Sequence, residues 1–138
     1  MICYVVVDTN VLVSALLSKK DDAATVQVLS KVISGEIISV YSNLVTKEYR
    51  EVLARKKFGF SADLVEYLIS AIEKYGLPLD PSPSGISLPD MKDLPFYEVV
   101  LEKRDNETYL VTGNIKHFPK EPFIVTPREL LDILKDKT

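Results

Sequence analysis

The hydrophobic positions of this chain change rhythm several times, and the changes mark out alternating strands and helices. Ile2 to Val7 is an almost unbroken apolar run that ends abruptly at Asp8. Runs of this β-branched kind predict a strand buried on both faces. Val11 to Leu17 continues apolar as a short helix. Ala23, Val26, Val28, Leu29, Val32 and Ile33 then recur in a helical rhythm that Gly35 ends, and Ile37 to Tyr41 reads as a second strand. Ser42 is placed to cap a helix running to about Lys57, with Gly59 behind it. Ser61 caps the next, with Asp63 and Leu64 in its first turn, Leu64, Leu68 and Ile72 on one face, and Gly76 as its stop.

After Gly76 the texture changes. Leu77 to Asp80 suits a short strand, and Pro81 to Pro89 is loop. Asp93-Leu94-Pro95 opens a helix to about Lys103, with proline tolerated in the first turn. Thr108 to Thr112 is a strand ended by Gly113, a glycine expected at positive φ in a turn. Phe123 to Val125 is the last strand, and Thr126-Pro127-Arg128-Glu129 is a capping-box start for a final helix with Leu130, Leu131 and Leu134 inward. Repeats and low-complexity stretches are absent. The alternation predicts an α/β fold over residues 1–138 as one domain: a three-layer α/β/α sandwich with a central parallel sheet of four to five strands.

Composition narrows the function classes. The longest apolar runs are far too short to span a bilayer, and Ile2 to Val7 is neither basic nor long enough for a signal peptide. Cys3 is the one cysteine and reads as a reduced, buried thiol of a cytoplasmic protein. A formal net charge of −3 argues against a generic nucleic-acid coat. It leaves room for a local basic patch, and Lys47, Arg50, Arg55, Lys56 and Lys57 stand close together against Glu48 and Glu51. Such a run is either a solvated helix face or a guide for a phosphate backbone, to which Lys116 adds a further cation.

The acids carry the chemistry. Asp8 ends the first strand, where open α/β sheets bind ligands, although a plain helix cap is the alternative. Glu48 shares a helix face with Val45 and Val52, so a carboxylate interrupts an apolar stripe. Glutamate is rarely buried without a partner, and the alternative is an edge position paired with Arg55 or Lys47. Asp93 opens a helix after the proline-rich loop, where capping is again possible, and Asp90 stands three residues earlier as a second candidate. Asn114 follows the strand ending at Thr112, and its amide oxygen can accept from water or reach a metal.

Right-handed crossovers bring the segments carrying Asp8, Glu48, Asp93 and Asn114 to one rim of a parallel sheet. Two carboxylates about 4 Å apart repel by roughly 4 kcal/mol at an effective dielectric of 20, so converging acids need a cation or shared protons. Oxygen ligands select a hard ion, Mg²⁺ or Mn²⁺, and one cysteine with one histidine does not build an ordinary zinc site. A metal held by carboxylates that activates water and steadies a leaving oxyanion suits phosphodiester cleavage.

These residues resemble the PIN domain family, in particular the toxin components of bacterial and archaeal toxin–antitoxin pairs. The matching pieces are Val6 to Ser14, Glu48 to Arg55, Pro89 to Phe96 and Leu110 to Phe118, in the family's order and over nearly the whole length. The resemblance implies a Mg²⁺- or Mn²⁺-dependent endoribonuclease cutting single-stranded RNA. Carried over by position, Asp8, Glu48 and Asp93 would be the core acids and metal ligands. Thr9 and Asn10 would orient Asp8 or a water, Thr112 would support the strand end, and an antitoxin protein and a homodimer are implied as partners. Many PIN domains carry a fourth acid where this chain has Asn114, which implies a weaker or water-mediated second metal site. His117 either contacts phosphate or is structural.

Other readings are weighed on the same residues. A haloacid-dehalogenase-type phosphatase needs a second aspartate where Asn10 stands, and a nucleotide-binding module wants a glycine-rich phosphate loop that the scattered glycines do not form. A DNA nuclease is not separable from an RNA nuclease by sequence. A PIN scaffold that binds RNA or a partner without cleaving remains the main alternative.

Overall fold

A computed structural model describes residues 2–105 and 107–137. Five strands, β1 (Tyr4–Val7), β2 (Ile38–Tyr41), β3 (Leu77–Pro78), β4 (Thr108–Val111) and β5 (Ile124–Val125), form one sheet in the order β3-β2-β1-β4-β5. Every pairing is parallel, so all carboxyl ends emerge on one edge. Six helices flank it: α1 (Thr9–Leu17), α2 (Ala24–Ser34), α3 (Asn43–Leu53), α4 (Ala62–Tyr75), α5 (Leu94–Glu102) and α6 (Pro127–Asp136). Helix α5 lies over β1, β2 and β4 and meets α3, whereas α6 lies over β4 and β5 and meets α2. The fold is thus the α/β/α sandwich expected, with a five-stranded sheet.

The reason these residues form this sheet is visible in β1. Val5, Val6 and Val7 are buried on both faces, which only a central strand of a covered parallel sheet provides. The chain runs outward from β1 to β2 and β3, then returns past β1 to β4. That reversal makes the gap between the carboxyl ends of β1 and β4 the switch point where such sheets bind ligands. Among the described residues no helix is long and apolar enough to cross a membrane.

Three local expectations are corrected. Helix α3 stops at Leu53 rather than near Lys57, and a separate 3-10 turn covers Lys56–Phe58. Phe58 and Phe60 stack at 5.6 Å across Gly59, whose φ of 70° turns the chain. That packing takes the chain out of the helix, and charge patterning does not reveal it. On α4, Leu68 and Ile72 are buried as expected, together with Val65 and Ile69, whereas Leu64 in the first turn is exposed. Gly113 is not among the positive-φ glycines, which are Gly35, Gly59 and Gly85. The expected capping box of α6 is present: Thr126 accepts from Glu129 N at 3.1 Å, and Glu129 accepts from Thr126 N at 2.9 Å.

Candidate active site

Asp8 leaves β1 at the switch point and is only 5% exposed. The parallel ladder continues one step past both strands: Asp8 N donates to Val111 O at 2.9 Å, and Thr112 N donates to Val125 O at 2.9 Å. With Val7 in register against Val111, Asp8 and Thr112 stand side by side. Thr112 Oγ1 donates to Asp8 Oδ2 at 2.7 Å, and Asn10 Nδ2 donates to the same oxygen at 3.0 Å. The clamp is itself fixed, because Asn114 N donates to Thr112 Oγ1 at 2.9 Å and Gly113 N donates to Asn10 Oδ1 at 3.3 Å.

Asp8 occupies the cap position of α1, yet its side chain closes no capping hydrogen bond. The first N–H groups of α1 help to stabilise its charge, as do Thr112 and Asn10. Burial outweighs them all and holds the carboxyl above its usual range. The carboxyl is thus tied through Oδ2 at the switch point, and Oδ1 takes no part in the clamp.

Asp93 ends the 3-10 turn Met91–Asp93 that leads into α5, and it too closes no capping bond. Asp90 does that work, accepting from Lys92 N at 3.0 Å, so Asp90 is a turn cap and a neighbouring charge. Asp93 is pushed up to about 6, by burial first and then by the charges of Asp8 and Asp90, against the pull of His117. His117 Nδ1 lies 3.3 Å from Asp93 Oδ2, near enough for an ion pair but off hydrogen-bond geometry. That buried oxygen is left without a hydrogen-bond partner, as is Thr9 Oγ1. Orphaned oxygens of this kind are costly unless something else engages them. Of the two residues after Asp8, Asn10 therefore orients it and the Thr9 hydroxyl makes no hydrogen bond.

Glu48 stands on α3 between buried Val45 and Val52, half-buried itself. Burial raises its carboxyl first, Arg55 and Lys92 lower it, and Glu51 and Asp8 raise it. It closes no ion pair with Lys47 or Arg55. The charge of Asp8 bears on Asp93, second only to burial, and on Glu48 as the smallest of the influences there. Among the described residues, however, no three histidine, cysteine, aspartate or glutamate side chains stand close enough to hold a metal ion. The donor set is all oxygen and suits a hard cation.

Tyr49, the residue after Glu48, escaped the sequence reading. It is fully buried, and its hydroxyl donates to Val7 O, the carbonyl just before Asp8. The signal was available: a phenol at helical spacing within the Val45–Val52–Leu53 stripe must find an acceptor inside. Asn114 contributes its backbone N–H to the clamp, and its exposed side-chain amide closes no hydrogen bond among the described residues. The basic stretch divides. Arg50 is taken by Glu66 at 3.0 Å and Glu73 at 3.3 Å on α4, so it fastens helices together. Lys47, Arg55, Lys56, Lys57 and Lys116 are exposed.

The curated proteins and the solved structures give no match. A family model described as PIN domain matches residues 4–116, a span that holds β1 to β4, the Asp8 clamp, Glu48 and Asp93. The acid at the end of β1, the switch point beside it and this match over most of the length establish that the chain belongs to the PIN domain family, a family of nucleases.

Proposed function

We propose that this protein is a single-domain, metal-dependent endoribonuclease that hydrolyses phosphodiester bonds of single-stranded RNA. The observation that carries the reading is the clamped, buried Asp8 whose charge bears on both Asp93 and Glu48. Asp8, Glu48 and Asp93 are the residues that would hold Mg²⁺ or Mn²⁺. When bound, the cation would supply Lewis acidity that activates water and neutralises the leaving oxyanion.

The chain's own residues do the rest. Thr112 and Asn10 hold Asp8 in one orientation through Oδ2, so that its carboxylate is fixed before a cation arrives. Asp93 is poised to lose a proton near neutral pH and His117 stands beside it, able to donate to a phosphate oxygen. Lys47, Arg55, Lys56, Lys57 and Lys116 attract the RNA backbone, with Arg50 contributing mainly to the α3–α4 packing. In the cell we read it as a cytoplasmic toxin of a toxin–antitoxin pair, restrained by an antitoxin protein and able to form a homodimer.

A second reading, a PIN scaffold that binds RNA without cutting it, is favoured by one observation: the three acids do not close on a single point. Incubating the purified protein with a labelled single-stranded RNA in Mg²⁺, Mn²⁺ or EDTA separates the two. Cleavage that requires the metal and is lost in Asp93→Asn supports the nuclease. RNA binding with no cleavage in either metal supports the scaffold.

A further inference from the structure

The acidic centre is not the only concave site. A cavity of about 520 Å³ opens between α2 and α6, with Cys3 and Ile37 among its lining residues. Those two residues directly precede β1 and β2, so that end of the cavity sits at the amino-terminal edge of the sheet. From Cys3 to Asp8 the extended chain covers about 16 Å, and α6 carries the lining from Arg128, just past the carboxyl end of β5, down to Lys137 at the amino-terminal edge.

One wall is a single face of α6, carrying Arg128, Leu131, Asp132 and Lys135 at spacings of three and four residues; the other carries Gln27 and Lys31 of α2. Four cations, Lys31, Arg128, Lys135 and Lys137, line the cavity against two carboxylates, Glu36 and Asp132. This local excess occurs in a chain of net charge −3. Lys31 pairs with Glu36, and Lys137 pairs with Glu107 at the entry to β4. Arg128 closes no ion pair or hydrogen bond among the described residues. It stands in the first turn of α6, where the helix dipole disfavours a cation and an anion would satisfy both. Ile37, Leu131 and Leu134 give the same cavity an apolar side, and its size is that of small-molecule sites.

We propose that this cavity is a second binding site, independent of the acids, for a phosphate ester with an apolar or aromatic body, of nucleoside monophosphate size. Arg128 receives the phosphate, its planar guanidinium fork giving bidentate contacts, while Leu131, Leu134 and Ile37 cover the body. Gln27, whose amide nitrogen donates to Asp22 O at 2.7 Å, offers its amide oxygen, and Asp132 a carboxylate, to the polar edge of a base.

The test is an amide NMR titration of the full chain with AMP, with inorganic phosphate and with adenosine. EDTA is present, so that no cation bridges phosphate to Asp8 or Asp93. Saturable AMP binding is expected, with shifts confined to α2, α6 and the residues preceding β1 and β2. Phosphate or adenosine alone should bind at least about tenfold more weakly, because neither uses both sides of the cavity. Arg128→Glu, on the exposed surface, should weaken AMP by about tenfold or more while metal-dependent RNA cleavage stays at the parent rate. The proposal is overturned by any of three results: no saturation by about 10 mM AMP, shifts centred on the Asp8 rim, or unchanged AMP affinity in Arg128→Glu. These outcomes are read without cleavage, so they stand apart from the fate of the nuclease reading.

Discussion

Replacing Asp8 by asparagine should make the metal-free protein more stable while abolishing its response to metal. The substituted amide keeps the shape of the carboxyl, and its oxygen still accepts from Thr112 and Asn10, so the clamp survives. What disappears is a buried negative charge that bears on Asp93 and Glu48. Asp93 is raised from 3.8 to about 6. At 1.36 kcal/mol per unit this is a penalty on its charged form of about 3 kcal/mol as a ceiling. Burial is the larger cause and side-chain exposure screens the charges, so the share released by removing Asp8 is about 1 kcal/mol, with relief of Asp8's own burial in addition.

The sign follows from linkage. A carboxylate raised in the folded state binds protons more tightly folded than unfolded. Its penalty is therefore absent below pH 3.8, grows as pH rises, and is complete above about 6. The stability of Asp8→Asn minus that of the parent, from urea melts in EDTA, should be near zero at about pH 4 and reach about +1 to 2 kcal/mol above pH 7. In parallel, with Asp8 as a ligand of the proposed metal, Mg²⁺ should raise the melting temperature of the parent and leave the variant unchanged. Cleavage should fall by about a hundredfold or more. A variant less stable than the parent at neutral pH, or one still stabilised by Mg²⁺, would refute the reasoning.

Three further changes test the supporting residues. Thr112→Val keeps the shape but removes the donor to Asp8 and leaves Asn114 N–H unpaired; a stability loss of about 1–3 kcal/mol is expected in denaturant melts, with slower cleavage. Tyr49→Phe leaves Val7 O without its partner and should cost about 1–2 kcal/mol, while kcat falls more than KM changes because α3 is no longer tied to the end of β1. Lys56→Ala with Lys57→Ala should lower the slope of log binding against log salt for single-stranded RNA by about 1.4, whereas Arg50→Ala should leave the slope nearly unchanged and cost stability instead.

Much of this architecture is legible along the chain, because it rests on local causes. The valines of β1, the stop at Gly35, the Ser42 and Ser61 caps and the Thr126–Glu129 capping box all act within a few residues. Short-range physics likewise names Asp8 as an acid at a strand end and Glu48 as a carboxylate on an apolar stripe. The end of α3 is less legible, because the chain leaves it through a 3-10 turn at Lys56–Phe58 that the run of cations does not mark. On α4 the buried positions Leu68 and Ile72 are legible from their spacing, and Leu64 at the start of the helix is left exposed.

What tertiary structure alone decided is how the acids are held. Whether Asp8 caps its helix or is drawn aside depends on Thr112, 104 residues away and level with it only through the β1–β4 register. The same holds for Tyr49 and Val7 O, for the capture of Arg50 by α4, and for the rise of Asp93 under the charge of Asp8. Sequence determines which groups exist and which element each one ends, since propensity and capping are local. Their mutual distances, and hence their charges and roles, are set by sheet order and register, to which no local pattern is sensitive.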